Sequence, residues 1–185
     1  ASILTANLLG IDEDNIKKAL ANIDSVPGRF EIINAGQDFQ IVVDYAHTPD
    51  GMKNVLETAS AMEKNRLIVL FGCGGDRDRS KRPAMAELAE KYADYTIVSN
   101  DNPRTEDPEI IFAEIESGFT KNFNDYEVIA DRKDAIRRAI EIAEKDDLVM
   151  LLGRGHEQFQ ILKNEKIELD DRQVAYQAAS ALKGV

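Results

Sequence analysis

The amino-acid sequence predicts an α/β fold in which a doubly wound, mostly parallel sheet is flanked by helices, with an N-terminal and a late β-hairpin. Two observations lead to this prediction. First, short and nearly continuous apolar runs are typical of strands buried on both faces of a parallel sheet; these runs are RLIVLFG, DYTIVSN, YEVIA and DLVMLLG. Second, longer segments with helical spacing separate them, and a β-α-β-α order implies right-handed crossovers between parallel strands.

The first element is a short amphipathic helix. Apolar residues recur at helical spacing over 12–23, behind Asp12 or Asp14 as the N-cap. The Pro-Gly turn in DSVPGRFE then predicts a domain boundary, with 1–24 on one side and the main domain, 25–185, on the other. Because the chain begins with small and apolar residues and without a methionine, we expect it to be an excised fragment.

The remaining elements follow in order. FEIINA and FQIVVDYA, separated by GQD, predict the first hairpin, and FQILKNEKIEL predicts the late one. DDRQVAYQAASALKG predicts a capped C-terminal helix that ends before Gly184. Four further helices are predicted from apolar spacing, over 51–62, 83–91, 108–119 and 132–144.

Composition narrows the class of protein. A chain of 185 residues is long enough for one main domain with a sizeable core. Asp and Glu outnumber Lys and Arg by 34 to 23, for a net charge of -11, which argues against a nucleic-acid partner. Cys73 is the only cysteine, which fits a reducing compartment. No apolar run reaches the roughly 18 residues of a membrane helix, so we expect a cytoplasmic protein without membrane contact.

Ligands of open parallel sheets bind beyond the carboxyl ends of the strands. Four polar loops directly follow predicted strands, and the alternation of strand and helix places all four at one edge of the sheet. They are DYAHTPD, GCGGDRDRSKRP, SNDNPRTEDP and GRGHEQ. These loops are therefore the candidate binding site.

The loop GCGGDRDRSKRP combines glycines with cations. Three glycines allow tight turns and offer N–H groups, and the cations add positive charge to an acidic chain, which suits an anionic ligand. The cations are Arg77, Arg79, Lys81 and Arg82. The loop matches neither G-x-x-x-x-G-K-[ST] nor G-x-G-x-x-G. A solvated turn that enters a helix would have the same composition.

The loop SNDNPRTEDP suits an amino-acid zwitterion. The planar fork of Arg104 matches a carboxylate with two charge-assisted hydrogen bonds, whereas Asp101 and the amide oxygen of Asn102 can accept from an ammonium. The flanking residues 105–108 carry N-cap chemistry, and we expect them only to start the next helix. A helix-initiating turn without a ligand is the alternative for the whole loop.

The other two loops carry the two histidines. In DYAHTPD, Asp44 and His47 could hold a ribose, a base or a phosphate, or His47 could cap the next helix. In GRGHEQ, glycines permit close approach of a ligand and Glu157 adds an acceptor for an ammonium, with a simple tight turn as the alternative. Together, the four loops favour an amino acid with more than one ionic head.

Six motifs, in this order, resemble the C-terminal region of the Mur ligases. They are VPGRFE, DYAHTPDGM, GCGGDRDRSKRP, SNDNPRTEDP, GRGHEQFQ and DDRQVA. The resemblance covers practically the whole chain. It implies the Rossmann-like, amino-acid-receiving domain of a three-domain enzyme, preceded over 1–24 by the tail of the central ATPase domain and a linker. The N-terminal and central domains of such an enzyme would then be partners of this one.

The resemblance also implies a reaction in cytoplasmic peptidoglycan precursor synthesis. ATP and Mg²⁺ serve to phosphorylate the D-glutamate carboxylate of UDP-MurNAc-L-Ala-D-Glu, and the amine of the next amino acid attacks the acyl phosphate. ATP and Mg²⁺ are expected to be bound mainly by the central domain. Because this chain contains no P-loop, it is not expected to catalyse ligation alone, and we assign it neither a catalytic residue nor a metal ligand.

Within the family, the sequence DNPR is typical of members that add meso-2,6-diaminopimelate. The resemblance implies that Arg104 binds the far carboxylate of this amino acid. All residues implied to contact meso-2,6-diaminopimelate are Arg77, Asp101, Asn102, Pro103, Arg104, Gly153 and Glu157. Residues implied to face the nucleotide are Arg29, Asp44 and His47. Arg154 stands where the family more often has lysine in GKGHE, so a contact that needs a compact ammonium would be altered.

Two other interpretations remain open. The chain could belong to a lysine-adding Mur ligase or to a folylpolyglutamate synthetase-like ligase, although the arginine of DNPR argues against both. In a different class, it could be a stand-alone Rossmann-like module that binds a nucleotide. The missing G-x-G-x-x-G argues against that module.

Overall fold

The computed structural model describes residues 2–22, 25–163 and 165–182. Over these ranges it contains seven helices and eight strands. The helices are α1 (Ser2–Leu8), α2 (Glu13–Ala21), α3 (Pro49–Ser60), α4 (Lys81–Tyr92), α5 (Pro108–Glu116), α6 (Arg132–Glu141) and α7 (Asp171–Ala181). The strands are β1 (Glu31–Ile32), β2 (Gln40–Asp44), β3 (Leu67–Phe71), β4 (Tyr95–Val98), β5 (Tyr126–Val128), β6 (Leu148–Leu152), β7 (Phe159–Leu162) and β8 (Glu165–Glu168).

Six strands form one sheet in the order β1-β2-β6-β3-β4-β5. β2, β6, β3, β4 and β5 are parallel, and β1 pairs antiparallel with β2, so the predicted first hairpin is confirmed. β7 and β8 form a separate antiparallel ribbon, which is the predicted late hairpin; its turn residue Asn164 lies outside the described residues. The α/β class with a mostly parallel sheet is therefore as predicted.

Helices cover both faces of the sheet, as a doubly wound fold requires. On one face, α3, α4 and α5 contribute Leu56, Met85 and Phe112 to a core with alternate residues of β3 and β6. On the other face, α6 and α7 contribute Ile136 and Ala175 to a second core. Because β3 and β6 are buried on both faces, every residue of both strands is apolar and inaccessible. In the described part of the chain, no helix is long and apolar enough to cross a membrane.

The strand β5 corrects one expectation. YEVIA was expected to be buried on both faces, but β5 pairs only with β4 and lies at the edge of the sheet. Its Val128 is 37% exposed. The error arises because an apolar run of three residues does not distinguish an edge strand from a central one.

The helices α3, α4, α5 and α6 end one to three residues away from the ends predicted from apolar spacing, close to the usual uncertainty of a boundary. α2 begins after Asp12, whose side chain accepts a 3.0 Å hydrogen bond from the Asn15 N–H, so Asp12 rather than Asp14 is the N-cap. α5 and α6 end at Glu116 and Glu141, earlier than expected. The expected ends of the first and last helices, at 23 and before 184, lie outside the described residues.

Asp147 fixes the amino-end edge of the sheet. Its buried carboxylate accepts a 2.6 Å hydrogen bond from Arg66 Nη2 and further hydrogen bonds from the backbone N–H groups of Arg66 and Glu144. The contacts join the segment before β3 to the segment before β6. They lie at the edge opposite to the candidate binding loops and hold the two central strands in register.

Replacing Asp147 by asparagine should lower the free energy of unfolding at pH 7 and have less effect as the pH falls. Burial alone would raise the pKa of the Asp147 carboxyl, but hydrogen bonds from Arg66 and from backbone N–H groups outweigh it and hold that pKa below 3.8. A carboxyl whose pKa is lower in the folded state stabilises the protein above its unfolded pKa, and this contribution disappears as the pH falls through the folded pKa. Urea unfolding of both proteins should give a difference that shrinks below about pH 4. A difference independent of pH would contradict the expectation.

Candidate functional site

The carboxyl ends of β2, β6, β3 and β4 lie side by side, and the four predicted loops meet there around one cleft. Its volume is about 490 Å³. All four loops contribute to it, as the alternation of strand and helix predicted. Seven of the candidate residues line the cleft: His47, Arg77, Asp101, Asn102, Arg104, Gly153 and Glu157. Pro103 and Asp44 are sequence neighbours of lining residues and Arg29 is not; none of the three lines the cleft.

Two arginines on one side of the cleft have no acidic partner. In the described ranges, neither Arg77 nor Arg104 lies within 4.0 Å of a carboxylate oxygen. Nη1 of Arg104 donates to the backbone oxygens of Gly75 at 2.8 Å and Asn102 at 3.2 Å, which fixes one arm of the guanidinium. Nη1 of Arg77 donates to the backbone oxygen of Asp76 at 2.9 Å. Both cations therefore remain available to an anion in the cleft.

Asp101 supplies an unpaired negative group. The residue is 7% exposed, and its buried Oδ2 atom has no hydrogen-bond partner among the residues that the structure describes. Gly153, at φ +110°, lies so close that a Cβ there would be 2.9 Å from this oxygen. A buried carboxylate oxygen without a donor is costly, and Asp101 is one of the residues that line the cleft.

Asn102 has a different environment from the one expected. Its amide oxygen, which the sequence offered to a ligand, accepts from the Ile161 N–H at 2.8 Å and from Arg154 Nη1 at 3.2 Å. Its Nδ2 donates to Glu157 Oε2 at 2.9 Å. Because the side chain is almost fully buried, it orients Glu157 and leaves its oxygen no room for a further donor.

Pro103 contributes backbone rather than side chain. Its carbonyl oxygen lies only 2.0 Å from where a Cβ of Gly75 would be, so the two loops touch through main chain. The Gly75 N–H also donates to the backbone oxygen of Asn102 at 2.9 Å. A side chain at 75 would separate the loops that carry Arg77 and Arg104.

Two of the four cations in GCGGDRDRSKRP were misinterpreted as part of an anion site. Arg82 is fully buried and pairs with Glu106 at 3.0 Å and with Glu114. Arg79 also pairs with Glu114. Lys81 lines the cleft, and its Nζ donates to the His47 oxygen at 2.8 Å. Hydrogen bonds from Arg82 lower the pKa of the Glu106 carboxyl, so this pair is ionised and structural.

The segment 105–108 does more than start the next helix, contrary to expectation. Thr105 Oγ1 donates to Asp76 at 2.9 Å, and its backbone N–H donates to the same carboxylate at 3.2 Å. Glu106 also accepts from the Asp76 N–H. The N-cap of α5 is Asp107. Thr105 and Glu106 therefore tie the loop after β4 to the loop after β3.

The residues expected to face a nucleotide form a patch that extends from the cleft, because His47 and Tyr45 also line the cleft. The guanidinium of Arg29 lies 4.3 Å from the centre of the Tyr45 ring, and the His47 ring meets the same ring edge-on at 4.7 Å. Both oxygens of Asp44 are engaged, by the Phe30 N–H at 2.7 Å and the Ala46 N–H at 2.8 Å. Arg29 and His47 are exposed, whereas Asp44 shapes the turn beneath them. Tyr45 was not identified from the sequence.

The buried position of Arg154 and its contacts were not predicted from the sequence. It is fully buried behind the cleft. Its guanidinium donates to the backbone oxygens of Phe159 at 2.9 Å and Leu169 at 3.1 Å, in addition to Asn102. Burial and then repulsion from Arg132 lower the pKa of Arg154. The G-R-G sequence signalled a turn but not the direction of the side chain.

A buried charge cluster supports Arg154. Arg132 pairs with Asp171 at 2.7 Å, both being inaccessible, and Arg154 Nε lies 3.4 Å from the other Asp171 oxygen. Arg132 Nη2 also donates to the Leu152 oxygen at 2.9 Å. One buried carboxylate thus lies between two buried guanidiniums. In the described ranges, no group of three or more His, Cys, Asp or Glu side chains is arranged to hold a metal ion.

Comparisons with known proteins match the chain to one family. Residues 28–155 match the family model described as Mur ligase, glutamate ligase domain. A UDP-N-acetylmuramoyl-L-alanyl-D-glutamate--2,6-diaminopimelate ligase of Syntrophomonas wolfei is 53% identical over 176 residues, covering 95% of this chain and 36% of that protein. The corresponding ligase of Oceanobacillus iheyensis is 49% identical, covering 88% of this chain and 33% of that protein. The chain thus spans about a third of the length of these relatives.

Solved structures resemble the chain over nearly its whole length. A UDP-N-acetylmuramoyl-L-alanyl-D-glutamate--2,6-diaminopimelate ligase superposes with a TM-score of 0.81 at 38% identity, covering 99% of this chain and 37% of the other. A UDP-N-acetylmuramate-alanine ligase from Thermotoga maritima superposes with a TM-score of 0.65 at 18% identity, covering 98% and 36%. This second likeness shows the shared fold alone.

Proposed function

Because this chain belongs to the Mur ligase family, we propose that it is the amino-acid-receiving domain of an ATP-dependent ligase that joins meso-2,6-diaminopimelate to UDP-MurNAc-L-Ala-D-Glu. The domain would comprise 25–185, and the N-terminal and central domains of the same polypeptide would bind the UDP-sugar, ATP and Mg²⁺. The names of relatives about half identical to the chain support this substrate. The product would be a cytoplasmic precursor of peptidoglycan.

One observation carries the proposal: in the described part of the chain, one cleft is lined by two arginines that form no ion pair and by Asp101, whose Oδ2 has no hydrogen-bond partner. Arg77 and Arg104 provide sites for carboxylates, and Asp101 provides a site for an ammonium. Glu157, held by Asn102, adds a second acceptor. meso-2,6-Diaminopimelate carries two carboxylates and two amines, so it matches this set better than an amino acid with a single carboxylate.

The role of the domain is to position one amine for attack. ATP, held mainly by the central domain, supplies the phosphoryl group that activates the D-glutamate carboxylate. With Arg104 on the far carboxylate and Asp101 beside the far ammonium, the other amine would extend out of the cleft. Its nitrogen forms the C–N bond, the C–O bond to phosphate breaks, and phosphate leaves with its electron pair while the amine loses a proton. Such positioning converts a bimolecular step into an effectively unimolecular one.

A nucleotide would meet the patch beside the cleft. The exposed Arg29 suits a phosphate, and His47 and Tyr45 suit a ribose or a base. Asp44 would act indirectly, since both its oxygens hold backbone N–H groups. This arrangement would place the amino-acid cleft and the nucleotide side by side when the domains close.

The complete ligase should release phosphate from ATP in the presence of UDP-MurNAc-L-Ala-D-Glu and meso-2,6-diaminopimelate, and much less with L-lysine. Lysine lacks the second carboxylate, so Arg104 would remain unpaired, and the loss of a bidentate charged contact is worth about 3 kcal/mol, or roughly 100-fold in kcat/KM. Phosphate release measured across meso-2,6-diaminopimelate, L-lysine and glutamate tests the choice directly.

Each alternative has its own result in this experiment. Preference for L-lysine would identify a lysine-adding ligase, and release that depends on glutamate and a folate would identify a folylpolyglutamate synthetase-like enzyme. No amino-acid-dependent release, together with tight nucleotide binding by the 185-residue chain alone, would favour a stand-alone nucleotide-binding module. Any of these results would overturn the proposed function.

A further inference from the structure

The segment Asp101–Arg104 has no regular secondary structure of its own, and a second layer of contacts holds it in place. Arg104 has φ +54°, a left-handed conformation that is uncommon for a residue with a side chain. It forms an isolated parallel bridge with Leu162, in which its N–H donates to the Ile161 oxygen at 3.1 Å and its oxygen accepts from the Lys163 N–H at 2.6 Å. The β7–β8 ribbon thus acts as a template for this segment.

Side chains strengthen the template. Gln160, which is almost fully buried, donates from Nε2 to the backbone oxygen of Asp101 at 2.6 Å. Arg154 contacts three separate segments at once: Asn102 of the DNPR segment, Phe159 of β7 and Leu169 before α7. Its Nη1 also lies 3.5 Å from Glu157 Oε2. No part of Arg154 lines the cleft.

We propose that Arg154 is a positioning residue for amino-acid selection, which acts through Asn102 and Glu157 without touching the substrate. This inference rests on the proposed function of the cleft. Arg154 fixes the amide oxygen of Asn102, so that the amide nitrogen points to Glu157 and holds that carboxylate in the cleft. It also places a positive charge 3.5 Å from Glu157 Oε2, which helps to hold that carboxylate in place.

The shape of the guanidinium explains why an arginine can make these contacts. Its two terminal nitrogens point in fixed, divergent directions, one towards Asn102 and the other towards Phe159 and Leu169. A lysine ammonium at the same position is a single centre and cannot reach both sets at hydrogen-bond distance. Arg132 cannot substitute for Arg154, because its guanidinium is committed to Asp171 and to Leu152.

Two substitutions in the complete ligase test the proposal. Arg154→Met should raise the KM for meso-2,6-diaminopimelate on the order of 100-fold, because a shift of about 1 Å in the contact residues has effects of that size. Arg154→Lys, which keeps the charge, should raise it about tenfold and is the informative variant where Arg154→Met does not fold. The KM for ATP should change less than about threefold in both, since the nucleotide patch does not contact Arg154.

Arg66→Lys is the matched control. Arg66 is likewise an arginine that donates to a backbone oxygen, that of Ile142, and to a buried carboxylate, that of Asp147, but it lies at the opposite edge of the sheet. It should lower the melting temperature and leave the KM for the amino acid unchanged. Equal increases in amino-acid KM for Arg66→Lys and Arg154→Lys would show a general effect of lost stability and overturn the proposal, as would an unchanged KM in Arg154→Lys.

A double-mutant cycle tests the route through Asn102. Asn102→Leu should raise the amino-acid KM, and adding Arg154→Lys should raise it no further, because the contact through which Arg154 acts is already lost. Effects that multiply would overturn this route. The outcome is separate from the identity of the substrate: a complete ligase that prefers L-lysine contradicts the proposed function, while the effect of Arg154→Lys on the KM for L-lysine still decides the role of Arg154.

Discussion

Replacing Arg104 by alanine in the complete ligase is expected to raise the KM for meso-2,6-diaminopimelate by about 100-fold or more, with little change in the KM for ATP. Arg104 lines the cleft and has no acidic partner among the described residues, so its charge is available to the ligand. A charged hydrogen bond contributes about 1.5 to 3 kcal/mol, and a bidentate pair contributes two of them. The measurement is steady-state phosphate release with each substrate varied in turn.

A companion readout makes the Arg104 result specific. Arg104→Ala should also reduce the discrimination between meso-2,6-diaminopimelate and L-lysine. L-lysine lacks the second carboxylate, so the substitution removes no contact from it. Arg137→Ala is the control, since Arg137 is an exposed arginine on α6 that pairs with Asp134 away from the cleft. An unchanged KM for meso-2,6-diaminopimelate in Arg104→Ala would contradict the assigned role of Arg104.

Replacing Asp171 by alanine is expected to lower the free energy of unfolding more than any other substitution proposed here. Asp171 is completely buried between Arg132 and Arg154, so its removal leaves two buried guanidiniums without their shared carboxylate. Breaking a buried ion pair by removing one partner costs about 3 to 5 kcal/mol. Domains are stable by only about 5 to 15 kcal/mol, so this loss is a large fraction of the total. Urea unfolding of the 185-residue chain measures it.

The control for Asp171 is an exposed aspartate that also pairs with an arginine. Asp134 and Arg137 form an i,i+3 pair on α6, with both side chains 63% exposed. Asp134→Ala should change the free energy of unfolding by less than about 1 kcal/mol, because exposed pairs contribute little. Equal losses for the two variants would show that burial of the Asp171 charge is not the reason for its effect.

Local sequence patterns predicted the strands and every helix except α1, and they predicted that the four loops of the candidate site would meet. Uninterrupted apolar runs identified β3 and β6 because both faces of these strands are covered, and the loops after parallel strands had to meet at one edge. These inferences depend only on the pattern of residues within each segment and on the order of the segments along the chain. β5 was misjudged because its exposure depends on whether another strand pairs beyond it.

Whether each polar side chain is free or already paired within the protein could not be predicted in the same way. Arg77 and Arg82 are five residues apart in one loop and look equivalent in the sequence, yet Arg77 is exposed in the cleft whereas Arg82 is buried against Glu106 and Glu114. The difference is made by partners on another loop and on α5. The amide of Asn102 is likewise committed by Ile161. Which cation or amide is free depends on contacts between segments far apart in sequence.

The template beneath Asp101–Arg104 has a consequence for redesign. The left-handed backbone at Arg104 is stabilised by Ile161 and Lys163, and the neighbouring loop is tied to it through Asp76 and Thr105. The DNPR sequence alone is therefore not sufficient to determine which amino acid is selected. Introducing these four residues into a homologue that adds another amino acid should supply the arginine but not its orientation. The orientation also requires the β7–β8 ribbon and the glycine-rich loop after β3.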